Sequence, residues 1–384
     1  MEAASVTGPA KNLIGFSKWL QSESGIATGL QLAIVTFDRN ARTDQPGSFA
    51  WAAREAGIET HVIHERYRFD WGVVSQLRDV VAAVEPHIIQ THNSKSHFLL
   101  WSQPSLRTQR RWFAFEHGHV HADLKVRLYN TVDRLTLRSA DRIISVCQAF
   151  AARLIRTGID SRRIRVLHNA ATPVPQVSTA DRAELRKHLR ITDDQAVLLT
   201  IGRLSREKGH EDLLRAAVGL RFERPDWKLV VVGDGPERAH LEALARSLQL
   251  ESRVRFVGFQ QDASRYYSIA DVFILPSRSE GSSNVLLEAM MAQVPIVATM
   301  AGGNAEIVVH GQTGLIAGIG NSKELAEGIE RLLQQPEFAQ RLKVAAYARA
   351  CQEFSADRYR QRLLSYYTEA ESGQVAAVQA DGGT

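Results

Sequence analysis

Apolar residues fall in short runs along this chain, and the stretches between the runs repeat with the period of a helix. In the first half the runs lie at Gln31–Phe37, Thr60–His64, His87–Gln90, Trp112–Phe115, Arg142–Val146 and Arg163–Leu167. Each is rich in Val, Ile or Phe and bounded by polar residues or Gly, which predicts strands. Ser48–Ala56, Val73–Val84 and Lys125–Ser139 carry helical patterns between them. This alternation predicts an α/β fold with parallel sheets built from strand–helix–strand units. Pro173 and Pro175 then sit among small residues at Ala170–Thr179, which reads as an interdomain linker. The alternation restarts at Ala196–Ile201, Lys228–Val232, Val254–Val257, Val272–Leu275 and Pro295–Ala298, and Lys323–Glu371 is almost wholly helical in pattern. Ser372–Thr384 is rich in Gly and Ala without an apolar period and is expected to be a loose tail.

The start of the chain does not fit this scheme. A domain of this kind opens with a buried strand, then a Gly turn, then a helix. Gly8-Pro9 reads as that turn, with Pro9 near the helix start. The residues before it, Met1 to Thr7, are too few and too polar for a full strand. The expectation is a first strand that is missing or truncated.

Composition narrows the class. With 384 residues, 44% hydrophobic and 23% charged, the chain suits two globular domains rather than disorder, collagen or coiled coil. No run is long and apolar enough for a membrane span, and the first residues lack the pattern of a secretory signal. Cys147 and Cys351 stand in no metal-type spacing and read as reduced thiols. The net charge of +5 is unevenly placed: Trp101–Arg165 holds thirteen Arg or Lys against five Asp or Glu. A basic surface on one domain suits an anionic partner, or is a set of solvated helix faces.

Several loops at the carboxyl ends of predicted strands carry chemistry. Gly202-Arg203-Leu204 with Lys208-Gly209 follows the strand Ala196–Ile201. Gly202 lets a backbone come close, and Arg203 and Lys208 place two cations suited to a diphosphate. Gly233-Asp234-Gly235-Pro236 follows the next strand, but Arg238 stands where a dinucleotide fingerprint needs Gly. Pro276–Met290 then joins a buried strand, a Gly/Ser loop and a helix beginning near Ser283, whose free amides attract phosphate. Glu280 in that loop and Glu288 inside the helix are placed to bind vicinal hydroxyls. Gly302-Gly303 opens one more loop at the same edge.

The first half is rich in His at equivalent places. Thr91-His92-Asn93-Ser94-Lys95 follows one strand, and His117-Gly118-His119-Val120-His121 follows the next. Alternating His in a loop with few Cys or Asp partners is weak as a zinc site. Hydrogen bonding to a substrate is the better reading, with His92, Lys95 and His119 as candidates.

From about Ala196 to Ser355 these motifs resemble the retaining glycosyltransferases of family 4, also called group 1. The resemblance rests on Gly-Arg-Leu-x3-Lys-Gly at 202–209, Gly-Asp-Gly-Pro-Glu at 233–237, Glu-x7-Glu at 280–288 and Gly-Gly-x-x-Glu at 302–306. The first half matches more loosely, through Gly8, Thr91-His92 and His117-Gly118. It implies the GT-B fold: two facing Rossmann-like domains, 1–172 for the acceptor and 173–354 for a nucleotide sugar. A helix at 355–371 would cross back, leaving 372–384 as the tail.

By position, the resemblance implies that Arg203 and Lys208 grip the donor diphosphate. Glu288 would hold the ribose and Glu280 the sugar hydroxyls. Gly202, Gly233, Ser283, Asn284 and Val285 would complete the donor site, and Gly8 would let the phosphate approach. His117 would contact the transferred sugar. The expected donor is a UDP- or GDP-sugar, and no cofactor or metal is expected, in keeping with the lack of an Asp-x-Asp motif. The acceptor is expected to be a glycan or lipid-linked glycan, not nucleic acid. The site of action is expected to be the cytoplasm or the inner face of its membrane. The basic stretch, with Lys125, Arg127, Arg134 and Arg138 on one helical segment, would then meet anionic lipid. The alternatives are an epimerase or hydrolase of the same fold, or a non-catalytic subunit that binds sugar nucleotides.

Overall fold

The computed structural model describes residues 8–39, 48–67, 70–118, 124–220 and 226–381, without the side chains of 124–130 and 370–381. The chain divides into two compact units, Met1–Asn169 with Tyr359–Thr384, and Ala170–Arg358.

The second unit is built on β7 (Ala196–Ile201), β8 (Trp227–Val232), β9 (Val254–Gly258), β10 (Val272–Leu275), β11 (Ile296–Thr299) and β12 (Leu315–Ala317), preceded in the chain by β1 to β6 of the first unit. All six pair in parallel, in the order β12-β11-β10-β7-β8-β9. Every residue of β7, β10 and β11 is buried, so these strands read as unbroken apolar runs. Their side chains divide by parity between two cores. Val197, Leu199 and Ile201 of β7 pack on one side with Val230, Phe273 and Leu286, and Ala196 and Leu198 pack on the other with Leu213, Trp227 and Leu325. The three-residue β12 was absent from the expected strands, being too short to show a pattern.

The first unit has β1 (Ala33–Asp38) paired with β2 (Glu59–His64), and separately β3 (Ile88–Thr91), β4 (Arg111–Glu116), β5 (Arg142–Ser145) and β6 (Ile164–Val166) in that order, all parallel. Thus β1 and β3 are both edge strands. Among the described residues no strand lies ahead of the first helix, Gly8–Leu20. That helix packs on both sheets. Ala10, Leu13 and Ile14 meet Ile34, Phe49 and Ala53, while Phe16, Trp19 and Leu20 meet Phe113, Phe115 and Ile144. A two-stranded sheet is marginal by itself, so this helix is what gives β1 and β2 a core. Across the same edges, Lys95 pairs with buried Glu65 and its ammonium lies 4.1 Å over the Phe37 ring.

The last helix runs Ala356–Asp381, past Glu371 and into the stretch expected to be loose. Its Ala content and lack of Pro favour helix even without an apolar period. Leu363 and Tyr367 are buried against Phe113 and Ile144, and the Tyr366 hydroxyl donates to the Val166 carbonyl at 2.9 Å. Among the described residues no helix is long and apolar enough to cross a membrane.

Phe273 shows how the core of the second unit reaches the strand ends. It is fully buried, and its ring lies 5.5 Å from that of Tyr267. Phe273→Ala should cost about 3–5 kcal/mol in the unfolding transition of the second unit. Denaturant titration checks this; a loss within experimental error would mean the site collapses without a cavity.

Candidate functional site

Strand order in the second unit diverges at β7, with β8 and β9 on one side and β10 to β12 on the other. The loops after β7 and β10 therefore part company, and such a divergence leaves the crevice where open α/β sheets bind ligands. After β7 the chain passes Gly202 and Arg203, makes a 3-10 turn over Arg206–Lys208 and enters the helix His210–Gly219. After β10 it runs through Pro276–Ser283 into the helix Asn284–Met291.

Backbone and side chains tie these two loops together. The amides of Arg278 and Ser279 donate to the Glu207 carbonyl at 2.8 and 3.3 Å. Lys208 Nζ donates to Glu280 Oε1 at 2.6 Å, and Ser277 Oγ donates to the same oxygen at 2.7 Å. Arg278 grips Asp212 with two bonds of 2.7 and 2.8 Å, fixing the loop to the first turn of the facing helix. Glu280 is buried, whereas Lys208 keeps 25% of its side chain exposed. One of three ammonium hydrogens is spent on Glu280, so two remain for a ligand.

Two glycines allow close backbone approaches at this sheet edge, only the first of them between these two loops. Gly209 has φ 65°, and a Cβ there would lie 2.1 Å from the Pro276 carbonyl oxygen. Gly233, after β8, has φ 141° and would place a Cβ 1.9 Å from the Gly202 carbonyl oxygen. Gly202 is different: a Cβ there would meet only Lys208 Cδ, at 4.0 Å. The space over Gly202 is therefore not filled by any described residue.

Other predicted donor residues surround this point. Arg203 is exposed and makes no ion pair with any described residue. Ser283 precedes the helix Asn284–Met291 without a side-chain cap, and the buried Asn284 Oδ1 has no hydrogen-bond partner. The helix start thus presents amides and the positive end of a dipole. Val285 follows in the first turn, and its carbonyl lies 3.1 Å from the Tyr267 hydroxyl. That hydroxyl also lies 3.1 Å from Glu288 Oε2. Burial, then the Glu288 carboxylate, push Tyr267 well above its ordinary range, so it remains a donor. His210 is buried beside the turn, and burial followed by the Lys208 ammonium lowers it to about 4, keeping it neutral.

The structure adds residues the motifs do not reveal. Tyr267 and Asp212 act on Glu288 and Arg278, while Ser277, inside the Pro276–Met290 stretch, acts on Glu280. Arg278 lies inside the Pro276–Met290 stretch, so it was within reach of sequence reasoning. Tyr267 reads as one more core aromatic.

The first unit brings its own candidates together. His92 follows β3 and His117 follows β4, and His92 Nδ1 lies 3.2 Å from His117 Nε2. Burial holds both rings below their ordinary range, to about 4 for His117. A cavity beside them is lined by Pro9, Asn12, His92, His117, Asn169 and Tyr359. Asn12 Nδ2 donates to Asn169 Oδ1 at 2.8 Å across it. Gly8 is the first residue of the helix that supplies Pro9 and Asn12. Lys95, in contrast, is committed to Glu65, which also accepts from Arg39 at 3.1 Å. His119 and His121 lie outside the described residues. Among the described residues no three His, Cys, Asp or Glu side chains gather as a metal site would need.

The fold is that of the GT-B glycosyltransferases: a solved structure of Anabaena Alr3699/HepE in complex with UDP-glucose matches with TM-score 0.81 and 21% identity, over 96% of this chain and 98% of that one. Residues 181–349 match the family described as Glycosyl transferases group 1, and residues 19–170 match the Glycosyl transferase 4-like domain. Both halves of the chain thus match glycosyltransferase family models, the second half that of group 1. Among curated relatives, the alpha-D-kanosaminyltransferase of Streptomyces kanamyceticus is 33% identical over 192 residues, half of each chain. The lipopolysaccharide core biosynthesis glycosyltransferase LpsE of Rhizobium meliloti is 32% identical over 232 residues, 59% of this chain and 65% of that one. The chain thus spans between half and two thirds of the length of these two relatives.

The glycine geometry yields a paired test. Gly209→Ala should lower the melting midpoint by several degrees, since its φ and the Pro276 carbonyl both oppose a side chain. Gly202→Ala should leave the midpoint unchanged and weaken nucleotide binding instead. Equal melting losses in the two variants would contradict the assignment of open space to Gly202.

Proposed function

We propose that the protein transfers a sugar from a nucleoside-diphosphate donor to a glycan or lipid-linked glycan, retaining the anomeric configuration and using no metal or cofactor. The observation that carries this reading is the pairing of Lys208 with Glu280 at the divergence point of the second sheet, beside exposed Arg203 and an uncapped helix start. Lys208, Arg203 and the amides from Ser283 to Val285 would meet the diphosphate. Both contacts to Glu280 fall on Oε1, which leaves Oε2 for a sugar hydroxyl. Glu288, oriented by Tyr267, would take the two ribose hydroxyls. His117 would hydrogen-bond the transferred sugar from the acceptor side.

In the reaction the bond from the anomeric carbon to the phosphate oxygen breaks, and a bond from that carbon to an acceptor oxygen forms on the same face. The acceptor proton passes to the departing phosphate oxygen. Negative charge grows on the diphosphate as it leaves, and fixed cations with an oriented helix start stabilise it without reorganising. No side chain need serve as base. The UDP-glucose bound in the Anabaena structure supports UDP as the nucleotide. The relative named for lipopolysaccharide core biosynthesis supports a lipid-linked glycan as acceptor. The basic surface of 101–165, with exposed Arg134, Leu135 and Trp101, suits anionic headgroups.

Lys208→Ala and Glu288→Ala should each weaken UDP or GDP binding at least about tenfold in calorimetry, a loss of about 1.4 kcal/mol. Far-ultraviolet circular dichroism should stay as in the parent. Unchanged affinity in both variants would sink the assignment of this site to the donor.

A further inference from the structure

The proton on His117 has a partner that fixes it. β3 and β4 are parallel neighbours with Thr91 opposite Ala114, so His92 comes opposite Phe115. Their rings stack with centroids 4.5 Å apart. Phe115 and His117 point to the same side of β4, two residues apart. The His117 ring therefore lies beside that of His92, with centroids 5.5 Å apart and planes 13° from parallel. In that arrangement His92 Nδ1 and His117 Nε2 face each other at 3.2 Å.

His92 is itself held on several sides. Its amide donates to Ser96 Oγ at 3.1 Å. The preceding Thr91 accepts from Trp112 Nε1 at 2.8 Å, and its carbonyl lies 3.4 Å from His97 Nε2. The other nitrogen of His97 lies 2.8 Å from Asp133 Oδ1, and both side chains are almost fully buried. The end of β3 is thus clamped by the helix Ser94–Trp101 and by Trp112 of β4 before His92 reaches His117.

Two neutral imidazoles in contact through one nitrogen each need one N–H and one lone pair. Whichever ring donates, the proton positions of the two are locked to each other, and Nε2 of His117 is occupied. We propose that His92 is a positioning residue that sets the tautomer of His117 and leaves Nδ1 of His117 as the atom offered to a bound sugar. The tautomer of His117 is a property of the free protein, whereas its contact with a sugar rests on the function proposed above, so the two can fail separately.

The test is long-range proton–nitrogen correlation on the full chain labelled with 15N-histidine, at pH 7 and without ligand. The His117 signals are assigned by their loss in His117→Gln. In the parent, His117 should show one tautomer, with widely split nitrogen shifts. His92→Phe keeps the ring stacked on Phe115 but removes the nitrogen, and should let His117 average between tautomers. His92→Asn places an amide near the former Nδ1 and should restore a single tautomer. Averaged shifts in the parent, or identical His117 shifts in the parent and His92→Phe, would overturn the proposal. The parent spectrum decides the first point even if a variant fails to fold.

Discussion

The arrangement of the second unit depends on the reversal of strand order at β7. Laying β8 and β9 to one side and β10 to the other separates the loops that follow β7 and β10. The two loops are held by contacts with each other. The Glu207 carbonyl does this through the backbone, accepting from Arg278 and Ser279. Lys208 and Glu280 do it through side chains. Gly209 follows from the same requirement, because Pro276 approaches too closely for a Cβ there.

The Lys208–Glu280 pair is better understood as a site than as a staple. A buried carboxylate loses much of its hydration, and its attraction to one ammonium offsets that loss only in part. Ser277 supplies a second hydrogen bond, and the pair still leaves donors on Lys208 unused. An arrangement selected for stability would have closed those valences within the protein. Arg278 and Asp212, with two good bonds between planar groups, are the contact that stabilises the loop itself.

The two units differ in how legible they are. In the second, β7, β10 and β11 are buried throughout, so their apolar runs match the strands almost residue for residue. In the first, β1, β2 and β3 are only half-buried and lie at sheet edges, and their runs blur into polar flanks. The helix to Asp381 was hidden because Ala and Gln carry no apolar period. Motif residues at strand ends were legible since such loops are where ligands bind. Their partners were not: Asp212 stands 66 residues from Arg278 and Tyr267 stands 21 from Glu288. His92 and His117 were each legible as strand-end residues, but their contact depends on the β3–β4 register.

In the function proposed above, Lys208, Arg203 and a helix start would meet the charge of a leaving diphosphate without a metal. The most direct measurement is a structure of the protein with UDP grown in the presence of EDTA. The account predicts the β-phosphate within hydrogen-bond distance of Lys208 and Arg203, above Gly202, with the ribose hydroxyls on Glu288. A diphosphate bound elsewhere, or bound only when a divalent cation is restored, would contradict it.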